Sequence, residues 1–279
     1  MQYVNCNLCG IDETSLITIQ NNFKIVQCKQ CGLVYINPQP DREELIKLYD
    51  TYHQRDEKDE HSWLKLMEGN FREVTVFLNR RFPDRGSLLD IGCAYGHFIA
   101  MMKGHGWSVK GIDPSAKALH HAREKGLDVI ETTIDDSDFP ACSFNVITAF
   151  YVLEHLFDPL SALKKIFHML KPDGVLVLRV PHTTPIVKFL SRFNLRNNLY
   201  DTPFHLYDFS PETIRLLLNK AGFSSINIKP GSPTLPAKYA ERVISVVSGN
   251  LSKILFGISG GRLLLPGTSK TVIAAKSAI

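Results

Sequence analysis

Leu88-Leu89-Asp90-Ile91-Gly92-Cys93-Ala94-Tyr95-Gly96 is an apolar run that ends in an acid and breaks into a turn bounded by two glycines. Leu88 to Ile91 reads as a strand, and the segment from about His97 to His105 as the helix that follows. Gly92 lets the chain turn sharply with a ligand close to its backbone, and Gly96 opens the helix without crowding. The same grammar repeats from Ser87 onward. Further strands are expected at Ser108–Ile112, Asp128–Glu131, Val146–Ala149, Val175–Val180, Ser225–Lys229 and Lys270–Ala275. Helices are expected at Ala116–Lys125, Pro159–Leu170 and Pro211–Ala221. Such alternation predicts an α/β fold: a doubly wound, mostly parallel, Rossmann-like sheet of seven strands with helices on both faces. Between the last two strands no segment reads as a helix packed on the sheet. That predicts a terminal antiparallel pair enclosing an insertion at about 230–266.

Open α/β sheets bind ligands at the carboxyl ends of their strands, where the Asp90–Gly96 turn lies. Asp113, seventeen residues past Gly96, ends the second strand, and a carboxylate there can accept both ribose hydroxyls of an adenosine. A nicotinamide-binding domain would need G-x-G-x-x-G, whereas these glycines are spaced G-x-x-x-G.

The run from about Ser87 to His182 resembles the class I S-adenosylmethionine-dependent methyltransferases of the small-molecule type. That family opens with an acid followed by G-x-G-x-G, and Ala94 stands here at the middle glycine. The resemblance implies that Asp90 and the turn Gly92-Cys93-Ala94-Tyr95-Gly96 hold the methionine part of the cofactor. Asp113 would hold the ribose, Thr133 and Ile134 the adenine edge, and Phe150 and Tyr151 the methionine end and methyl group. Phe139 to Ile147 resembles the family's approach to the fourth strand, with Asn145 in place of an aspartate.

If the acceptor is a hydroxyl, a base of near-neutral pKa helps remove its proton. His155 lies in Val152-Leu153-Glu154-His155-Leu156, one turn past the fourth strand, and His205 in the loop before a helix capped by Ser210. Either is also the kind of histidine that a backbone carbonyl satisfies. Some quinone-precursor O-methyltransferases of this fold hold a divalent ion around the Glu-His phrase. Tyr151 stands where one of the acids would be, so a second metal is not expected.

The first forty residues carry different chemistry. Cys6-Asn7-Leu8-Cys9 and Cys28-Lys29-Gln30-Cys31 are matched C-x-x-C pairs eighteen residues apart, each followed by glycine. The spacing predicts four thiolates on one zinc, with Ser15–Ile19 and Lys24–Gln27 as the hairpin of a zinc ribbon. Four thiolates close the coordination sphere, so the ion is structural. The expected domains are the ribbon at 1–40, a helical linker at 41–82, and the methyltransferase domain at 83–279. Within the linker, Asp41 caps a helix over Arg42–Tyr49. Thr51–His61 reads as a loop, and Trp63–Phe82 as a helix with Leu64, Met67, Phe71, Val74, Phe77 and Leu78 on its apolar face.

The chain has 279 residues, 44% apolar and 22% charged, which excludes a disordered chain and is ordinary for a globular enzyme. Its net charge of +4 does not demand nucleic acid, although seven Lys/Arg stand against Glu241 alone from Lys229 onward. The polar start Met1-Gln2-Tyr3-Val4-Asn5 is unlike a secretory signal, and Asn250 and Lys253 interrupt the apolar stretch Val243–Ile258. A cytoplasmic protein is expected. Tyr239, Val243, Val247, Leu251, Ile254 and Ile258 recur at helical spacing, as in an amphipathic helix for a membrane surface, a dimer contact or a pocket cap. Leu190, Phe193 and Leu195 are expected in an acceptor lid. The function expected is O-methylation of a small sugar, phenolic or natural-product intermediate. RNA base methylation is a rival, against which only Lys24 and Lys29 are basic in the ribbon. C-methylation of a nucleotide-linked sugar is another; its zinc-bearing relatives carry a further C-terminal domain that is not expected here.

Overall fold

The computed structural model describes residues 1–43, 45, 57–193, 199–231, 239–259 and 269–277. At the start, β1 (Thr14–Gln20) and β2 (Phe23–Cys28) form an antiparallel hairpin. Its turn residues, Asn21 and Asn22, both take positive φ, which matches the twist of two-residue hairpins. A third strand, β3 (Val34–Ile36), which the sequence reading did not anticipate, pairs with β2. Asn37 closes this ribbon by donating to the Val4 carbonyl and accepting from the Val4 amide, both at 3.1 Å.

The Asp41 carboxylate accepts the Glu43 amide at 3.0 Å, as an N-cap does. Of the helix expected there, residues 42, 43 and 45 are helical and the remainder lies outside the described residues. The next helix, α1 (Glu57–Arg81), starts earlier than expected and absorbs the end of the polar stretch read as a loop. The sequence of that first turn, with acids at 57, 59 and 60, is one that favours a helix N-terminus as well as a loop. Met67, Phe71, Val74 and Leu78 are buried, and Leu64 and Phe77 are half-buried on the same side.

The main sheet follows: β4 (Ser87–Ile91), α2 (His97–Gly104), β5 (Ser108–Asp113), α3 (Ala116–Glu124), β6 (Val129–Glu131) and β7 (Phe144–Phe150). A short 3-10 turn, Leu153–His155, leads to α4 (Pro159–Met169) and β8 (Leu170–Val180). Then come α5 (Thr184–Ser191), β9 (Tyr207–Asp208), α6 (Pro211–Lys220), β10 (Ser225–Pro230), α7 (Tyr239–Ile258) and β11 (Lys270–Ala275). Among the described residues the seven strands are ordered β10-β11-β8-β7-β4-β5-β6. The inner pairs are parallel, while β11 runs antiparallel to both β8 and β10, so α7 belongs to the expected insertion. Strand order reverses between β4 and β7, which opens a crevice at their carboxyl ends.

The central strands are buried on both faces, which is why Leu88, Leu89, Val146, Ile147 and Val175–Leu178 form unbroken apolar runs. Asn145 works at the opposite edge from the crevice. Its Oδ1 accepts from the Ser87 amide at 3.0 Å and from the Lys171 ammonium at 3.1 Å, tying β7 to β4. The apolar stripe of α7 is not covered among the described residues: Val247, Leu251, Ile254 and Ile258 are 47–80% exposed. Phe193 also stands exposed and Leu190 half-buried, and Leu195 lies outside the described residues. No helix among the described residues is long and apolar enough to cross a membrane.

Candidate active site

One side of the crevice is built by the β4–α2 turn. Gly92 and Gly96 take φ of +71° and +75°, and a Cβ on either would lie 2.5 Å from Val152 Cγ2 or Leu127 Cδ1. Ala94 also takes positive φ, so the turn keeps a left-handed residue at the position where the family has glycine. Asp90 is buried, and its Oδ1 accepts from the Thr148 hydroxyl at 2.6 Å. Burial pushes its carboxyl up to about 7, against the opposing Thr148 bond. Asp113 ends β5 and grips the turn: Oδ2 accepts the Ala94 amide at 2.9 Å, and Oδ1 accepts the Ser115 amide at 2.8 Å.

Thr133 and Ile134 follow β6 beside Asp113, whose carbonyl accepts the Thr132 amide at 3.3 Å. Thr133 spends its hydroxyl on a turn, donating to the Asp136 carboxylate at 2.7 Å, and Ile134 is buried. Cys93 and Phe150 belong to the apolar cluster beneath, with Phe98 and Ile99, so Cys93 has only its backbone to offer a ligand. Phe150 packs edge-on against Phe71 of α1 and Phe98 of α2. Tyr151 takes φ +57°; its hydroxyl accepts from Arg179 Nε at 2.8 Å and lies 2.7 Å from Ser269 Oγ.

The segments past β7 and before β9 are more polar than the sequence suggests. Glu154 is fully buried, and among the described residues no side chain or backbone group stands at hydrogen-bond distance of its carboxylate oxygens with good geometry. Burial raises its pKa to about 8, with Lys270 pulling the other way. His155 Nδ1 lies 2.9 Å from the Phe204 carbonyl, so it carries the proton and Nε2 is the basic nitrogen. The His205 ring meets that of His155 edge-on at 4.8 Å, and burial lowers its pKa to about 4. One ligand atom each from Glu154, His155 and His205 lie within 4.8 Å of one another. Nearby, Lys270 is fully buried and donates to the Pro181 carbonyl at 2.7 Å, and burial lowers its pKa to about 8. The residues expected to hold the cofactor lie at or just past the ends of β4, β5, β6 and β7, and the rings of His155 and His205 lie against each other.

A family model described as a methyltransferase domain matches residues 62–227, more than half of the chain. The chain belongs to that methyltransferase-domain family. Among curated relatives, a ubiquinone biosynthesis O-methyltransferase of Actinobacillus pleuropneumoniae is 42% identical over 100 residues, 32% of this chain and 43% of the relative. Another of that name, from Haemophilus ducreyi, is 34% identical over 144 residues, 44% of this chain and 61% of the relative. The chain therefore spans about half the length of the curated relatives it matches. Among solved structures, a Burkholderia thailandensis 1,6-didemethyltoxoflavin-N1-methyltransferase aligns with a TM-score of 0.58 at 15% identity. That alignment covers 94% of this chain and 99% of the other, and it shows a shared fold.

In the methyltransferase domain, sequence reasoning passed over Arg179, Lys270, His182 and Asp208, all buried at this edge. Arg179 and Lys270 sit in or beside apolar strand runs, and a charge inside such a run is the signal that could have found them. The Asp208 carboxylate accepts the amides of Thr183 and Thr184 at 3.0 and 2.8 Å and also the Thr184 hydroxyl, which fixes the start of α5.

Outside that domain, the four cysteines of the ribbon meet. Cys6 and Cys31 Sγ are 3.4 Å apart, Cys9 and Cys28 3.5 Å, and all four lie within 4.8 Å of one another with no disulfide. Thiolates on a tetrahedral zinc, each about 2.3 Å from the ion, stand at comparable separations, so this donor set fits zinc.

Proposed function

We propose that the protein transfers the methyl group of S-adenosylmethionine to a hydroxyl oxygen of a small sugar, phenolic or natural-product molecule in the cytoplasm. The observation that carries this reading is a glycine turn with two buried carboxylates at the strand edge that also carries buried Glu154 and half-buried His155 and His205. The name shared by the curated relatives supports oxygen as the acceptor atom. S-adenosylmethionine supplies an electrophilic methyl on a sulfonium, so the residues here have to hold, align and deprotonate.

Asp90 suits the amino group of the methionine part because a buried carboxylate needs a cation nearby. Asp113 would take the ribose hydroxyls with the lone pairs left over from its two amide bonds. The amides of Gly92 to Gly96 and the segment Thr133-Ile134 would line the remaining length. Phe150 supports this surface from below, and Tyr151 borders the methyl end. On the acceptor side His155 would take the hydroxyl proton on Nε2, because the Phe204 carbonyl holds its tautomer. His205, kept neutral by burial, packs on its edge.

The test is incubation with methyl-labelled S-adenosylmethionine and a panel of catechols, phenols and sugars. Label in a methyl ether is expected; label only in added RNA, or in a carbon–methyl product, would replace this reading. A second expectation concerns pH. With its carboxyl at about 7 in the free protein, Asp90 is charged above pH 7 and protonated below it. Affinity for S-adenosylhomocysteine, read by calorimetry, should fall about tenfold from pH 8 to pH 6. A flat profile would remove Asp90 from the amino-group contact.

The ribbon is proposed to hold one structural zinc on Cys6, Cys9, Cys28 and Cys31. Metal analysis of protein purified without chelator should find one zinc per chain, and a metal-free ribbon that stays folded would count against it. The exposed stripe of α7 is the surface proposed for a peripheral membrane or dimer contact, which vesicle sedimentation and analytical ultracentrifugation tell apart.

A further inference from the structure

The cysteine ribbon does not end at its own last strand. Among the described residues its sheet has the order β1-β2-β3-β9, and β9 comes from the methyltransferase domain, about 170 residues later in the chain. β9 is the edge strand there, and among the described residues β3 is its one neighbour in that sheet. Val34 pairs with Asp208 and Tyr35 with Tyr207. His205 lies two residues before β9.

We propose that the metal-bound ribbon is a positioning element of the acceptor site, holding His205 against His155 through the strand it shares with the methyltransferase domain. The inference rests on the reading of that site given above, but its geometry does not need the acceptor to be known. Leu206 is the bridge. Its amide donates to the Glu154 carbonyl at 2.8 Å, and its own carbonyl accepts the Ile36 amide at 2.9 Å. One peptide unit away, the His205 ring lies against His155. Tyr207 adds a second tie: its hydroxyl donates to the Phe157 carbonyl at 3.0 Å and accepts from Gln39 Nε2 at 3.2 Å. Cys6, Cys28, Tyr35, Leu206, Tyr207 and Leu153 share one buried cluster, so the cysteine end of the ribbon and the Leu153–His155 turn belong to one packed core.

The first metal knuckle is clamped to the helices around the site as well. Asn7 donates to the Asp158 carboxylate at 2.8 Å and accepts the Leu160 amide at 3.1 Å, at the start of α4. The Leu8 carbonyl accepts Lys220 Nζ at 2.7 Å, at the end of α6. Both residues are the middle pair of the first C-x-x-C. A module of this size cannot fix its own strands without a metal or an equivalent staple. Once β3 loses its register, β9 loses its partner and His205 its fixed height over His155. The donor turn at β4 and β5 has no strand in common with the ribbon.

The experiment is hydrogen exchange on the whole chain, zinc-loaded and after removal of zinc with a chelator and reductant. The Ile36 and Leu206 amides are expected to exchange at least tenfold faster without metal. The Gly92–Gly96 amides and the affinity for S-adenosylhomocysteine should stay within threefold. Unchanged exchange at Leu206 would overturn the proposal, because the ribbon would then be an appendage. Loss of protection throughout the donor turn would overturn it too, because the ribbon would then support the whole chain.

Tyr207→Phe supplies a second reading with the metal in place. Zinc content and S-adenosylhomocysteine affinity should be unchanged. Exchange at Leu206 should rise severalfold, and the His155 and His205 ring signals should shift in the NMR spectrum while those of His105, His120 and His121 do not. Unmoved ring signals and unchanged exchange would sink the coupling. Neither measurement uses turnover, so absence of methyl transfer would fail the functional reading and leave this one standing or falling by itself.

Discussion

Asp113→Ala is expected to weaken binding of S-adenosylmethionine about a hundredfold, read by calorimetry at pH 8. Hydrogen bonds to a charged group contribute about 1.5–3 kcal/mol each, so two ribose contacts together account for a loss of that size at about 1.4 kcal/mol per tenfold. The carboxylate also organises the protein itself. It accepts the Ala94 and Ser115 amides, and without it both donors at the crevice lose their partner. Ala94 holds a left-handed conformation that an L side chain adopts at a cost of about 1–2 kcal/mol. Loss of the bond that pins it should loosen the turn. Asp113→Asn keeps one carbonyl oxygen for these amides and should fall between the two. Wild-type affinity in Asp113→Ala would remove Asp113 from the ribose contact and with it the orientation of the cofactor.

His155→Ala is expected to lower turnover by about 10²–10⁴-fold while donor affinity changes little. The reasoning turns on which nitrogen is basic. The Phe204 carbonyl, 2.9 Å from Nδ1, holds the proton there and leaves Nε2 to take one. His205 has been pushed to about 4 by burial, far from the neutral range in which a base works best. His205→Phe, which keeps an aromatic edge against His155, should therefore cost much less than His155→Ala. Rates would be measured with whichever catechol, phenol or sugar of the panel takes most label. Full turnover in His155→Ala would exclude it as the base, and a larger loss in His205→Phe would reverse the two roles.

The strand, turn and helix start from Leu88 to His97 were legible because their pattern is local. An apolar run, an acid and two glycines within nine residues specify a strand, a turn and a helix start, and the structure has them where the pattern lies. Asp113 was legible for the same reason, as the acid that ends the next strand. The meeting of the C-x-x-C pairs was legible because each pair is a short-range pattern. The early start of α1 was not legible, since a run of acids in the sequence suits a polar loop and a helix N-terminus alike.

What the sequence alone determined is the class of fold, the glycine turn and the paired cysteines, because each depends on neighbours a few residues away. The tertiary structure decided the rest. Only folding buries Glu154, Arg179 and Lys270 at the same edge, since their burial depends on strands far apart in the chain. Only folding pairs Tyr35 with Tyr207, because a two-residue strand such as β9 has no pattern of its own and exists through its partner. A three-residue and a two-residue strand carry too few alternating positions to be read as strands. Their hydrogen bonds nonetheless join the ribbon to the histidine pair, for the reason that buried backbone donors and acceptors must find partners wherever the chain brings them.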